Sequence, residues 1–402
     1  MLPQISVFGG LVRAWSGRHW TLKRPFAEYY FGIDIVRFVC AISVAGFHLT
    51  WQIPEISQTL PFGWVGVEAF FVISGLVIAN SANGASVQQY VAGRFLRIYP
   101  GAWCAALVNY PLAWWALATP GVDYGRVGFR SFLNSLALVE LFPRGRFLAS
   151  AYWTLPIEIA FYFLVFLLFA AKGFRHIQWL AIMLTAWSLP YLVALTLKSS
   201  GLVHWTWIDF GYGWKNMSLL RHGPYFGLGI LVWLYKEKRI TRAGIATAAL
   251  ALLLGFMEIY CRSVELLPRF KGPAILAQSS PIHLTMSSCA AFCFLIAAIL
   301  MSVKFNQLFP TQVAARSTVR LLGIATYPFY LLHELVGRFV IYKMREIGLA
   351  PLPSVFVAFL CIGAAALVIA KYFEPALRSL LKRNIPALNP ALEPRSQEST
   401  PR

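Results

Sequence analysis

Arg37 and His48 stand eleven residues apart inside one hydrophobic run, GIDIVRFVCAISVAGFHLTW. An ionisable side chain is costly there and marks a pathway or a reaction site. Eleven steps of about 100° end within roughly 20° of three full turns, so a helix presents both side chains on one face, about 16 Å apart along its axis. Further along, Glu68 and Ser74 fall in FGWVGVEAFFVISGLVIANS, Arg94 and Arg97 in GRFLRIYP, Glu158 in SAYWTLPIEIAFYF, and His333 and Glu334 in TYPFYLLHE. A neutral imidazole can take a proton from a hydroxyl, and a nearby carboxylate would set its tautomer and stabilise the imidazolium. Guanidinium groups grip phosphate oxygens through paired, charge-assisted hydrogen bonds. Arg37, Arg94 and Arg97 therefore suit a polyanionic, nucleotide-bearing carrier, and His48 tuned by Glu68 or Glu158 suits proton abstraction. Together these parts suit acyl transfer: an acyl-CoA anchored by its phosphates, its pantetheine arm threaded along the helix face, its thioester near His48.

The elements that must position these residues are membrane helices. The 402-residue chain is 58% hydrophobic and 13% charged, with a mean hydropathy of +0.62, far from the roughly 25% charge of a soluble domain. Runs long enough to cross about 30 Å of hydrocarbon are bracketed at 33–53, 62–81, 101–118, 153–170, 177–197, 218–235, 241–260, 283–303, 319–341 and 353–373. The expected fold is thus an all-α, polytopic bundle of ten helices. It divides into a cytoplasmic segment 1–32, an integral-membrane domain 33–373, and a Pro-rich, polar, disordered cytoplasmic tail 374–402. No cleaved signal peptide is evident before the first span. With the N-terminus inside, loops on that side carry about twice as many Lys and Arg as those opposite, which puts both termini in the cytoplasm. That orientation places the arginines near the inner face and His48, Glu68, Glu158, His333 and Glu334 in the outer half.

The net charge of +19 is spread among hydrophobic spans, with no soluble domain to present it to nucleic acid. Anionic lipid and the positive-inside rule account for it. The six cysteines lie within or near spans and form no disulfide framework. Cys289 and Cys293, at i, i+4 spacing, read as small packing residues. Among His48, His333, Glu68 and Glu158 the donor types would suit a divalent metal, but no compact motif such as His-Glu-x-x-His is present, and no metal is expected. Other side chains have structural alternatives. Arg37 can snorkel to the inner interface, and Glu68 and Glu158 can stabilise helix N-termini. His333 fits a supporting position better than that of the base. Trp153, Tyr162, Tyr327 and Tyr330 suit interface anchoring and packing, with substrate contact open for Trp153 and Tyr330. Ser74 lacks the Gly-x-Ser-x-Gly setting of a nucleophile and reads as close helix packing; direct transfer is preferred to a covalent acyl-serine.

Arg37 followed by ten residues and His48, the segment GVEAFFVISG, the pair Arg94 and Arg97 in RFLRIYP, the block WTLPIEIAFY and the late YPFYLLH together resemble the acyltransferase-3 family of membrane proteins. The resemblance spans nearly the whole chain in motif order. It implies a ten-helix core that passes an acyl group, usually acetyl, from cytoplasmic acyl-CoA to a hydroxyl, often on a cell-surface or exported carbohydrate. It further implies that Arg37 and His48 are the functional pair and that Arg94 and Arg97 match the arginine pair after the second span. Glu68 stands where the family commonly has Asp. Some relatives carry a fused extracytoplasmic domain, and this chain has none, so acceptor choice would rest on its outer loops or a separate protein.

The reading is an inner-membrane O-acyltransferase acting on a carbohydrate or a small hydroxylated acceptor, with His48 as general base and polysaccharide O-acetylation as one natural setting. The competing readings are a transporter or flippase, weakened by the lack of internal repeats, and a scaffold without chemistry.

Overall fold

The computed structural model describes residues 29–119, 127–142, 146–206, 208, 217–270, 281–308 and 312–389. Most of the expected N-terminal segment and the end of the expected tail lie outside them. Hydrophobic runs and their breakers set the helices: α1 Phe31–Thr50, α2 Gly63–Ala82, α3 Val87–Ala118, α4 Phe129–Ala137, α5 Ser150–Ala170, α6 Phe174–Ser199, α7 Gly223–Lys236, α8 Arg242–Arg269, α9 Pro281–Lys304, α10 Val313–Glu346 and α11 Pro351–Asn384. The chain is an all-helical, polytopic bundle, and each of the ten expected spans coincides with a helix.

Seven of the described helices, α1, α2, α5, α6, α8, α9 and α11, are long and apolar enough to cross a membrane. The other three expected spans miss that measure because α7 is short and because α3 and α10 are less apolar along their length. α7 has 14 residues, almost all buried. α3 begins at Val87, well before the expected start, so that Arg94 and Arg97 lie inside it, with Ser86 closing a capping box on Gln89. α10 carries Tyr327, His333 and Glu334 toward its partners rather than toward lipid.

α1, α3 and α10 run side by side in one direction. Asp34 lies against Gly323 at one end of the α1–α10 pair and Leu49 against Gly337 at the other. The Asn109 side-chain amide on α3 donates to the Leu331 carbonyl at 2.9 Å, a buried bond that fixes the register of α3 on α10. α2 and α5 run the opposite way. Against α7, α2 packs backbone to backbone. A Cβ at Gly229 would sit 2.0 Å from the Val72 carbonyl oxygen, and one at Gly75 2.2 Å from that of Phe226, so only glycine permits this approach. The close packing expected of Ser74 therefore belongs to its neighbour Gly75.

One further expectation changes. The stretch 374–384, expected to begin a disordered tail, continues α11 after a π-helical turn at Ile369–Phe373, and Glu374 pairs with Arg378 one turn on. The six cysteines are all free.

Candidate active site

His48 is held by a histidine. Its Nδ1 lies 2.8 Å from Nε2 of His333, and the His333 Nδ1 lies 2.5 Å from the Tyr330 carbonyl oxygen. The rings are parallel within 5° and their centroids 5.0 Å apart, so with so short an N···N distance they meet edge to edge, along the nitrogen lone pair. The tautomers follow by elimination. A carbonyl can only accept, so His333 carries its proton on Nδ1 and, being neutral, offers Nε2 as acceptor. His48 must then donate from Nδ1, which leaves its Nε2 lone pair free. Glu334 completes the cluster. Its Oε2 accepts from the Ser150 amide and hydroxyl at 2.7 Å each, its Oε1 from Arg338 at 3.4 Å, and it interacts electrostatically with both rings. The histidine pair joins residues 285 positions apart; Ser150 carries no sequence signal for its part.

The arginines converge at the other end of the bundle. Arg37 and Arg97 face each other electrostatically and share Asp34, Glu158 and Tyr162 as neighbours. Arg94 lies 5.7 Å from the Tyr162 ring centroid and Arg97 5.9 Å from that of Tyr327. Arg37 pairs with Asp34 at 3.6 Å, and Tyr29 donates to the same carboxylate. Glu374 comes near Arg97 from α11. The spacings Asp34 to Arg37 and Glu374 to Arg378 are helix-neighbour distances that mark both pairs in the sequence.

Neither carboxylate expected beside His48 is there. Glu158 lies two turns along α5 from Ser150 and belongs to the arginine group: it accepts from Ser74 at 3.1 Å and from Tyr162. Glu68 lies in the first turn of α2, buried against His222 and Glu258. Trp153 accompanies that second group, with its ring 5.5 Å from His222 and below Arg262. Tyr330 serves His333 through its carbonyl, while its ring packs on Phe70. The four donors weighed for a metal, His48, His333, Glu68 and Glu158, are thus divided among three places.

Partial exposure continues away from the two ends on α2 rather than on α1. Ile35, Val39 and Ile42 form the outward face of α1, and Arg37 and His48 leave the helix roughly 200–220° around from Ile35. Both keep partial exposure on that face. Ala41, Val44 and Ala45 between them are fully covered, which closes the path expected along α1. Phe70, Ser74, Val77 and Ser81 of α2 remain partly exposed at the spacing of one helix face, from Tyr330 at one end to the Glu158–Tyr162 pair and beyond.

An arginine cluster, a partly exposed stripe and a histidine with one free lone pair thus lie together in this helical bundle. BcsY of Komagataeibacter xylinus, described as a membrane-bound transacylase, is 26% identical over 318 residues, covering 75% of this chain and 71% of BcsY. No solved structure matches the chain. The family model described as Acyltransferase domain matches residues 30–373, which takes in every helix from α1 through most of α11, and the chain is therefore a multi-pass membrane acyltransferase of the acyltransferase-3 family.

Proposed function

We propose that this acyltransferase moves an acyl group, acetyl in the simplest case, from cytoplasmic acyl-CoA to a hydroxyl of a carbohydrate or similar acceptor on the far side of the inner membrane, with both termini in the cytoplasm. The observation that carries this reading is the relay from the Tyr330 carbonyl through His333 to His48, which leaves His48 Nε2 as an acceptor. Arg37, Arg94 and Arg97 bind the phosphates of the carrier, and the arm lies along Phe70, Ser74 and Val77. His48 Nε2 takes the hydroxyl proton as the oxygen attacks the thioester carbonyl. A C–O bond forms, the C–S bond breaks, and the thiolate leaves with the electron pair and takes the Nε2 proton from His48, which returns to its neutral form. The imidazolium keeps its Nδ1 proton on His333, with the Glu334 charge nearby to stabilise it. Glu158, amid the arginines, orders them rather than tuning His48.

Purified protein in proteoliposomes, given radiolabelled acetyl-CoA on the arginine side and an oligosaccharide on the other, is expected to release CoA in step with acetylated sugar. Sugar crossing the bilayer with the thioester intact would instead indicate a transporter.

The route on α2 has its own test. Val77→Trp fills the stripe one turn beyond Ser74, on the arginine side, and leaves His48 untouched. Its transfer rate from acyl-CoA is expected to fall at least tenfold, roughly 1.4 kcal/mol, with the protein still monodisperse in detergent. A wild-type rate would place the arm elsewhere.

A further inference from the structure

Glu68, His222 and Glu258 meet where α2, α7 and α8 join. One potential ligand atom from each lies within 4.8 Å of the others, and the side chains are 1%, 0% and 0% exposed. Both ring nitrogens of His222 and the Oε2 of Glu68 have no hydrogen-bond partner, a costly state for buried polar atoms. The surroundings sharpen the need. Arg221 binds Glu258 at 2.6 Å and Glu265 at 3.0 Å, and Arg262 approaches the same two carboxylates at 3.9 and 3.6 Å. Two guanidiniums thus stand against three carboxylates, and Glu68 is the one with no ion pair among the described residues. An imidazole lone pair and a carboxylate oxygen both present electron density, and they are held apart beyond hydrogen-bond reach.

We propose that this junction binds a divalent cation of the zinc type through a nitrogen of His222 and carboxylate oxygens of Glu68 and Glu258. Such an ion takes imidazole and carboxylate ligands at about 2.0–2.2 Å, so in its tetrahedral shell ligand atoms stand roughly 3.3–3.6 Å apart. Small side-chain rotations close the present gap. Glu258 is already oriented by Arg221 and by Tyr225, whose hydroxyl donates at 3.1 Å, the outer hydrogen bonding that metal-bound carboxylates carry. Phe71, with its ring centroid 5.0 Å from that of His222, and Trp153 wall the site from the rest of the interior. Three protein ligands leave a fourth position open. Because the ligands come from residues 68, 222 and 258, no compact sequence motif announces them. The site is separate from the His48 relay and does not depend on the function proposed above.

The test is elemental analysis of full-length protein purified in detergent without chelator, followed by exchange with Co²⁺ and reading of its visible absorption. Wild type is expected to hold about one equivalent of zinc and, with Co²⁺, to give the spectrum of a four-coordinate nitrogen and oxygen site. His222→Gln and Glu68→Gln are each expected to lose at least tenfold in affinity, whereas Glu265→Gln, which alters a neighbouring carboxylate but no ligand, retains the metal. X-ray absorption on wild type, resolving imidazole scattering and no sulfur, decides the matter even where a variant does not fold. Wild type that neither carries zinc nor takes up Co²⁺ overturns the proposal, as does undiminished binding in both ligand variants. In the first case ordered water satisfies His222 and Glu68.

Discussion

His48→Ala is expected to slow acyl transfer by about 10²–10⁴-fold, the span that a positioned general base contributes, while the protein inserts, elutes and binds acyl-CoA as wild type does. The His48 side chain makes one hydrogen bond and keeps partial exposure, so its removal costs folding about 1–3 kcal/mol, the penalty of leaving the buried Nε2 of His333 without its donor. The loss should be in kcat, because His48 meets the proton only as the hydroxyl attacks. Added imidazole should restore part of the rate, since the vacated position is partly exposed and Nε2 of His333 remains to accept from an imidazole N–H. His333→Ala grades the relay. It leaves the base but removes the acceptor that holds His48 in the Nδ1–H tautomer, at a cost of about 1–3 kcal/mol, or roughly 5- to 150-fold. That loss should persist at saturating donor and acceptor. Wild-type turnover in His48→Ala would remove the general base from the mechanism; equal losses in both variants, without imidazole rescue, would point to a structural pair instead.

The residues of this site were largely legible in the sequence, and their partners were not. Helical periodicity alone puts Arg37 and His48 on one face of α1, and hydrophobic runs locate ten helices, because both are local properties. What faces that helix depends on the registry of helices far apart in the chain. The late histidine was visible as a supporting residue, but its hydrogen bond to His48 rests on α10 lying parallel to α1 with Asp34 beside Gly323. Glu158 was misplaced because its depth was counted from the start of a hydrophobic run. The pairing of Ser150 with Glu334 shows that this start lies at the histidine end, so that two helical turns carry Glu158 away to the arginines. Glu68 shares the end of the bundle expected for it, but the α2–α7 glycine contact commits that turn of α2 to His222. The tail was misread for a compositional reason: Pro and polar residues dominate 385–402, whereas 374–384 holds an i, i+4 Glu374–Arg378 pair that supports helix.

Arg37→Ala is expected to raise KM for acyl-CoA by about 10- to 100-fold with kcat nearly unchanged, since a hydrogen bond from a charged group to phosphate contributes roughly 1.5–3 kcal/mol. Binding that is equal in ground and transition states appears in KM alone. Substitution also frees Asp34, which keeps its bond from Tyr29, so the local structure retains a satisfied carboxylate. Arg37→Lys should recover little, because an ammonium cannot reproduce the two-pronged contact. The decisive comparison uses a truncated donor. Acyl-pantetheine lacks the phosphates and nucleotide, so a side chain that acts through them has nothing to hold. Wild type should lose more on truncation of the donor than Arg37→Ala loses with full acyl-CoA, because Arg94 and Arg97 lose their contacts as well, and the two changes together should be far less than additive, the signature of a shared interaction. Arg97, close enough to Arg37 to repel it, should follow the same pattern, because a polyanion between them converts that repulsion into binding. If Arg37→Ala instead lowers kcat with both donors alike, the guanidinium supports the fold or the chemistry, and the phosphates of the carrier bind elsewhere.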